Sequence, residues 1–205
     1  VESLIKSTFL TWWQGIHVTG SGFQPMVMSD SQSSSWGNYG MKEMSVEPRA
    51  AINNSPAWGY AAYIEDPWYD LYGAISSAKD GLASLKAGQV GGKTFLEDAA
   101  ADKRAEIFAR WILAISNAQV ASWYDKGFYV DGDTDFATKQ ETVDYGAMMT
   151  SAMTALEAVV TEMTSNSTMI IPEDWLQIAS MTMGDLAKVG NSQLARYKVA
   201  VARSA

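Results

Sequence analysis

Apolar residues in this chain recur at spacings of three and four over long stretches and almost never alternate. In the stretch from Pro67 to Lys126 they fall first at Trp68, Leu71, Tyr72, Ile75, Ala78, Leu82 and Leu85. They fall again at Ile107, Phe108, Trp111, Ile112, Ala114, Ile115, Ala118 and Ala121. Each set forms one stripe along an α-helix. The spacing returns at Val143, Tyr145, Met148, Met149, Ala152, Met153, Leu156, Val159, Val160 and Met163, and again from Leu186 through Leu194 and Tyr197 to Val201. The expected fold class is therefore all-α. Four long helices are expected over residues 67–88, 96–126, 141–163 and 182–203, with a shorter one over 2–14.

Boundary signals place the ends. Asp66 before Pro67 reads as a helix start: the carboxylate caps free amides, and proline lacks a donor that would go unpaired there. Gly15 reads as the end of the first helix, Gly88 to Gly92 as a break, and Gly190 as a possible kink. Pro172 to Leu176 reads as a brief turn of helix. Thr182, with Asp185 three residues on, reads as a capping pair opening the last helix. Helix, loop, helix thus occurs twice. One domain over 1–205 is expected, divided into a helix and loop (1–60), a first helical hairpin (67–126) and a second hairpin (141–203) stacked on it.

Charge and composition narrow the function. The net charge is −8 over 205 residues. This opposes nucleic-acid binding, which depends on neutralising phosphates with Lys and Arg, and opposes docking on anionic lipid through a basic patch. The chain has no cysteine, hence no thiol chemistry. No apolar run is long enough to span a bilayer as a helix. Val1 is not an initiator methionine, and we expect that a segment upstream was removed or left out. The aromatic content stands out, with 8 Trp, 9 Tyr and 6 Phe beside 11 Met. Such rings are costly on a surface unless they pack or bind.

The question of a ligand centres on the stretch from Gly20 to Tyr60. It reads as a long loop holding glycines, a serine run and then Trp36-Gly37-Asn38-Tyr39-Gly40. Structureless stretches of this length inside a domain are usually functional or mobile. Aromatic faces stack on the apolar faces of sugar rings, and sugar hydroxyls need amide or guanidinium partners. The candidate ligand-binding residues are therefore Trp36, Tyr39, Arg49, Asn53, Asn54 and Trp58, holding a neutral sugar-like or peptide-like molecule. Arg49 is the best single ligand residue, being a fixed planar donor fork. The competing account is that these rings only pin the loop to the helices and that Arg49 forms a structural ion pair.

Other features read as structural. His17 is the only histidine, too few for a multi-histidine metal site, and reads as a polar residue at a helix end. Asp131, Asp133 and Asp135 resemble the start of a calcium loop. Phe136 then stands where the sharp turn needs glycine, and Thr142 where a bidentate glutamate belongs. The methionines of the third long helix read as adaptable core. Glu106 and Arg110, four apart, read as a pair on a solvated face. No cofactor, metal site or pair of catalytic carboxylates is expected.

Several segments, in their order and spacing, resemble the SusD/RagB family. They are Trp68-Tyr69-Asp70-Leu71-Tyr72-Gly73-Ala74-Ile75, Arg104-Ala105-Glu106 with Phe108-Ala109-Arg110-Trp111, Tyr124-Asp125-Lys126-Gly127-Phe128 and Ser192-Gln193-Leu194-Ala195-Arg196-Tyr197. Trp68 followed by Leu71-Tyr72-Gly73 and a later alanine also loosely resembles the tetratricopeptide pattern. The resemblance implies tetratricopeptide-like helical hairpins in an outer-membrane lipoprotein without catalytic activity. Such a protein binds a nutrient, an oligosaccharide or peptide, and delivers it to a SusC-like TonB-dependent transporter. The chain departs from the family in lacking a lipidated cysteine and in ending about where the family's irregular second portion begins. It is expected to be a fragment, a processed chain or a short relative, and to self-associate or meet a partner chain through uncovered apolar stripes. Two other classes remain open from sequence. A helical-repeat scaffold that binds only protein would use the same hairpins. A hydrolase would need an acid and a base or nucleophile in one pocket.

Overall fold

The computed structural model describes residues 1–17, 26–27, 40–47 and 51–202. Among these the chain is all-α, with two minimal strand pairs. The helices are α1 (Glu2–His17), α2 (Met41–Ser45), α3 (Ala62–Val90), α4 (Ala99–Trp123), α5 (Tyr145–Ser165), α6 (Glu173–Leu176) and α7 (Met183–Ala200). Strand β1 (Lys126–Gly127) pairs antiparallel with β2 (Val143–Asp144), and β3 (Ile170–Ile171) with β4 (Met181–Thr182). No helix among the described residues is long and apolar enough to cross a membrane.

The five longest helices form a serial antiparallel array, α1–α3–α4–α5–α7, in which each packs on the next. For the first pair, Gly15 of α1 lies against Asp70 and Leu71 of α3, whereas Ile5 lies against Gly81, so the two axes run in opposite directions. Helices α3 and α4 are joined by residues 91–98. Eight residues reach at most roughly 28 Å, less than the length of roughly 37 Å of a 25-residue helix, so the chain must turn back. Tyr145 at the start of α5 donates its N–H to Asp125 just past the end of α4. Glu162, near the far end of α5, meets Arg110 in the first half of α4. Gly184 at the start of α7 donates to Ser167 just past α5, and Lys198 near its end pairs with Glu157.

Helix α4 is the centre of the array, in contact with α1, α3, α5 and α7. The periodic reading predicts one buried stripe. Instead α4 is buried over Ile107–Ala109 and continuously from Trp111 to Ala118, because neighbours cover it on every side. The methionines Met148, Met149 and Met163 are fully buried core, as expected.

Several boundaries differ from expectation. Asp66 does not open α3, which starts at Ala62 and runs through Pro67. Pro67 sits early enough that only one helical hydrogen bond is lost, and its ring is buried. Gly15 does not end α1, and Gly88 does not break α3; Gly15 is buried against Asp70 and Leu71 of α3, and Gly88 under the Phe95 ring of the following connection. Helix α4 starts at Ala99 because Asp98, its side chain accepting from the Ala101 N–H, is the cap. Residues 141–144 are not helical because Val143–Asp144 pairs with the strand that follows α4. Thr182 caps α7 as predicted, accepting from the Asp185 N–H at 3.0 Å and donating its hydroxyl to that residue's carboxylate at 2.7 Å.

Glu106 and Arg110 are not simply a solvated pair. Glu162 of α5 takes Arg110 at 2.5 Å and also takes Lys103, while Arg110 reaches Glu106 only at 3.5 Å. The cluster bridges α4 and α5, with the Glu162 side chain only 23% exposed.

Two tests follow from this packing. Helix α7 runs unbroken through Gly190; a Cβ there would lie 2.5 Å from Cγ2 of Val160. Valine is stiff at χ1 and cannot swing aside. Gly190→Ala is expected to cost about 1–3 kcal/mol, read as a lower urea midpoint at unchanged m-value. For Glu162, burial opposes the charge, but the bond from Lys103 and the charges of Arg110 and Lys103 outweigh it and hold the carboxyl below its ordinary 4.5. The unfolded chain therefore takes up the proton first as pH falls. The stability this lends is complete above about pH 4.5 and is lost as pH drops through the folded value. Glu162→Gln is expected to lower stability by about 1 kcal/mol at pH 7, with the gap to the parent closing in acid melts.

Candidate functional site

Two clusters of rings among the described residues join elements of the fold. In the first, partly exposed, Trp68 lies 4.7 Å from Tyr72 and 5.0 Å from Tyr124. The Tyr72 hydroxyl donates to the Phe128 carbonyl at 3.0 Å and accepts from the Phe128 N–H at 2.6 Å. Burial pushes the Tyr72 phenol up to about 12 despite the backbone bond. Tyr124 donates to the Ile64 carbonyl at 2.7 Å. These rings tie the segment after α4 onto α3, and their polar ends are spent on backbone.

The second cluster runs from the core to the surface. Trp175 of α6 meets Phe108 at 5.2 Å, Phe108 meets Trp111 at 5.6 Å, and Trp111 meets Phe9 of α1 at 6.0 Å. Phe9 in turn lies 5.6 Å from Trp12 and 6.2 Å from Trp13. Adjacent residues on a helix point about 100° apart, so Trp12 and Trp13 cannot both face the core. Trp12 does, at 7% exposed; Trp13 lies at the edge, at 40%. One turn on, the His17 ring stands 3.9 Å from the Trp13 ring.

This end of α1 forms one wall of an open cleft of about 620 Å³. A second wall is the last turns of α4, where Gln119 and Trp123 stand four apart. The third is α7, where Gln193, Arg196 and Tyr197 share a face. Met26 also lines the cleft. Gln193 is oriented by the Trp111 indole N–H, which donates to its Oε1 at 3.0 Å. Tyr197 is held by donating to the Ile115 carbonyl at 3.3 Å, and burial raises its phenol. The indole N–H of Trp12 is buried without a hydrogen-bond partner among the described residues. A buried donor left so costs about 1–3 kcal/mol. Burial, and then the charge of Arg196, hold His17 below its ordinary value of 6.5. The arrangement presents ring faces with an amide, a guanidinium and an imidazole around them, and among the described residues no Asp or Glu lines it. Such a surface stacks flat apolar faces and donates hydrogen bonds.

The sequence-predicted site lies elsewhere. Trp36, Tyr39 and Arg49 fall outside the described residues. Asn53 and Asn54 are exposed, and Trp58 is half-buried. The Asn53 side chain accepts from the Ser55 N–H at 3.0 Å, a local turn. Trp58 stands edge-on to Tyr60 at 5.5 Å. None of these three lines the cleft; Met26, within the same Gly20–Tyr60 stretch, does. From sequence, Trp12 or Trp13 is expected on the buried side of the first helix, and His17 is expected only as a polar residue at a helix end. The adjacency of two tryptophans on an amphipathic helix was the available signal. The aspartates 131, 133 and 135 hold their own loop: Asp131 accepts from Asp133 N–H and the Thr134 hydroxyl, and Asp133 pairs with Lys86 at 2.7 Å. No cluster of metal-ligating side chains occurs among the described residues.

The placing of Arg196 against His17 is open to direct test. Followed by NMR, the imidazole is expected to titrate below 6.5. It should shift partway back up in Arg196→Gln, which removes the second cause but not the first. An unmoved midpoint would show that the guanidinium does not face the ring.

Compared with models of known families, with characterised proteins and with solved structures, the chain gives no match.

Proposed function

We propose that this chain is a non-catalytic binding protein that holds an oligosaccharide-like ligand in the cleft between α1, α4 and α7. The observation that carries the reading is the cleft's composition: Trp12, Trp13, Trp123 and the His17 ring surround a concave opening with Gln119, Gln193 and Arg196 among them. Ring faces supply affinity by burying apolar surface, at roughly 25 cal/mol per Å². Amide and guanidinium groups supply selectivity, because a polar group buried without its partner costs about 1–3 kcal/mol. The run of packed rings behind Trp12 and Trp13 holds this wall rigid, so little ordering has to accompany binding.

The resemblance to the SusD/RagB family extends the proposal. The serial helix pairs are read as tetratricopeptide-like hairpins. The chain presents its ligand at the outer membrane to a SusC-like TonB-dependent transporter. Of the Gly20–Tyr60 stretch, Met26 lines the cleft, and Asn53, Asn54 and Trp58 do not.

Tryptophan fluorescence reports on the cleft directly. Titration with a panel of neutral and acidic plant and bacterial oligosaccharides is expected to perturb the emission for at least one class. Trp13→Ala, at a half-exposed position the fold does not depend on, is expected to weaken that binding about tenfold, equivalent to about 1.4 kcal/mol. Undiminished affinity in both Trp13→Ala and Trp123→Ala, with unchanged circular dichroism, would place the ligand outside the cleft and overturn the reading.

A further inference from the structure

We propose that the ligand of this cleft carries a carboxylate on a sugar ring, a uronate, and that Arg196 is the residue that recognises it. The inference rests on the cleft reading above and names its ligand class.

The charge pattern is the first ground. The chain carries 23 Asp and Glu against 15 Lys and Arg. A cleft lined at random would be expected to include acids. Yet the ionisable side chains lining it are His17 of α1 and Arg196 and Tyr197 of α7; α4 contributes Gln119, Ser122 and Trp123, none of which titrates near neutral pH. The second ground is that Arg196 has no ion-pair partner among the described residues. Arg110, by contrast, is held by Glu162 and Glu106, and Arg104, also without an ion pair among the described residues, lies over the Trp175 ring. The Arg196 guanidinium loses water on ligand entry. A carboxylate restores more of that than a neutral hydroxyl does, through two parallel charge-assisted bonds from the planar fork. The remaining oriented group agrees: the Gln193 carbonyl is taken by Trp111, which leaves its amide N–H groups to donate. The cleft thus offers donors and positive charge beside flat rings, the complement of an acidic sugar. The chain's overall negative charge does not cancel this, since acids more than about 8 Å away are largely screened at physiological salt.

The chemistry fits a carboxylate from either a uronate or a peptide terminus, and the exposed ring faces favour the sugar. The experiment measures binding of trigalacturonate and of its fully methyl-esterified form by tryptophan fluorescence. A tripeptide with a free C-terminus and its amide run beside them. At physiological salt trigalacturonate is expected to bind at least tenfold tighter than the ester, with the advantage shrinking as salt is raised further. In Arg196→Gln the two should bind within about twofold of each other, while Arg196→Lys should keep part of the preference. Arg196 is exposed, so these variants should fold, and unchanged thermal melts check it.

Equal binding of acid and ester would overturn the uronate inference and leave the cleft reading standing. A preference that survives intact in Arg196→Gln would overturn the role of Arg196. A preference seen only in the peptide pair would overturn the sugar assignment. Failure of trigalacturonate to bind would overturn the proposal, whereas the neutral oligosaccharides and Trp13→Ala decide the cleft reading on their own.

Discussion

Everything in this molecule depends on burying one helix from all sides. Helix α4 places Ile107, Phe108, Trp111, Ile112 and Ile115 at or below 1% exposure, together with Ala105, Ala109 and Ala118. A helix that is apolar all round must be enclosed, and α1, α3, α5 and α7 enclose it. The alanines let neighbouring backbones come close, while the large side chains fill the grooves between ridges. Glycines do the same between the helices that surround α4: a Cβ at Gly81 of α3 would lie 2.6 Å from Ile5 of α1, and one at Gly190 of α7 would lie 2.5 Å from Val160 of α5.

Enclosure makes polar groups near α4 expensive unless they are used, and the chain uses them to fix its connections. Asp102 is buried and accepts the N–H groups of Phe95 and Leu96, at 3.0 and 2.8 Å, which holds the α3–α4 turn against the helix start. Asn117, in the middle of α4, donates to the Val130 carbonyl at 2.8 Å and accepts from the Val130 N–H at 3.2 Å. That single side chain satisfies both backbone groups of a residue in the long α4–α5 connection. With Tyr72 and Tyr124 it converts what would be a loose segment into a fixed one, because each bond is made away from competing water.

The cleft is a by-product of the same array. Near its C-terminal end α4 turns Gln119 and Trp123 toward a gap bounded by the last turn of α1 and by one face of α7. The rings there are continuous with the core through Trp111 and Phe9, so the wall is as rigid as the packing behind it. A binding surface made this way needs no separate scaffold. Among the described residues no acid lies on the cleft wall, so the Arg196 guanidinium there has no ion-pair partner.

The spacing of apolar residues determined by itself that the chain is all-α and roughly where five helices lie, since burial of one face at 3.6 residues per turn leaves that mark whatever the neighbours are. Capping chemistry at Thr182 was equally local and equally legible. Tertiary structure alone decided what depended on distant residues. Pro67 lies inside a helix, Val143–Asp144 form a strand pair, and Glu106 and Arg110 reach across to Glu162. The site shows the difference most clearly. Trp36, Tyr39, Arg49, Asn53, Asn54 and Trp58 drew attention because they crowd together in sequence. The cleft gathers Trp13, His17, Trp123 and Arg196 from three helices up to 183 residues apart. Helix periodicity says which face of each helix is apolar, but not which neighbour stops short of covering it. That is settled only when all the helices are packed around α4.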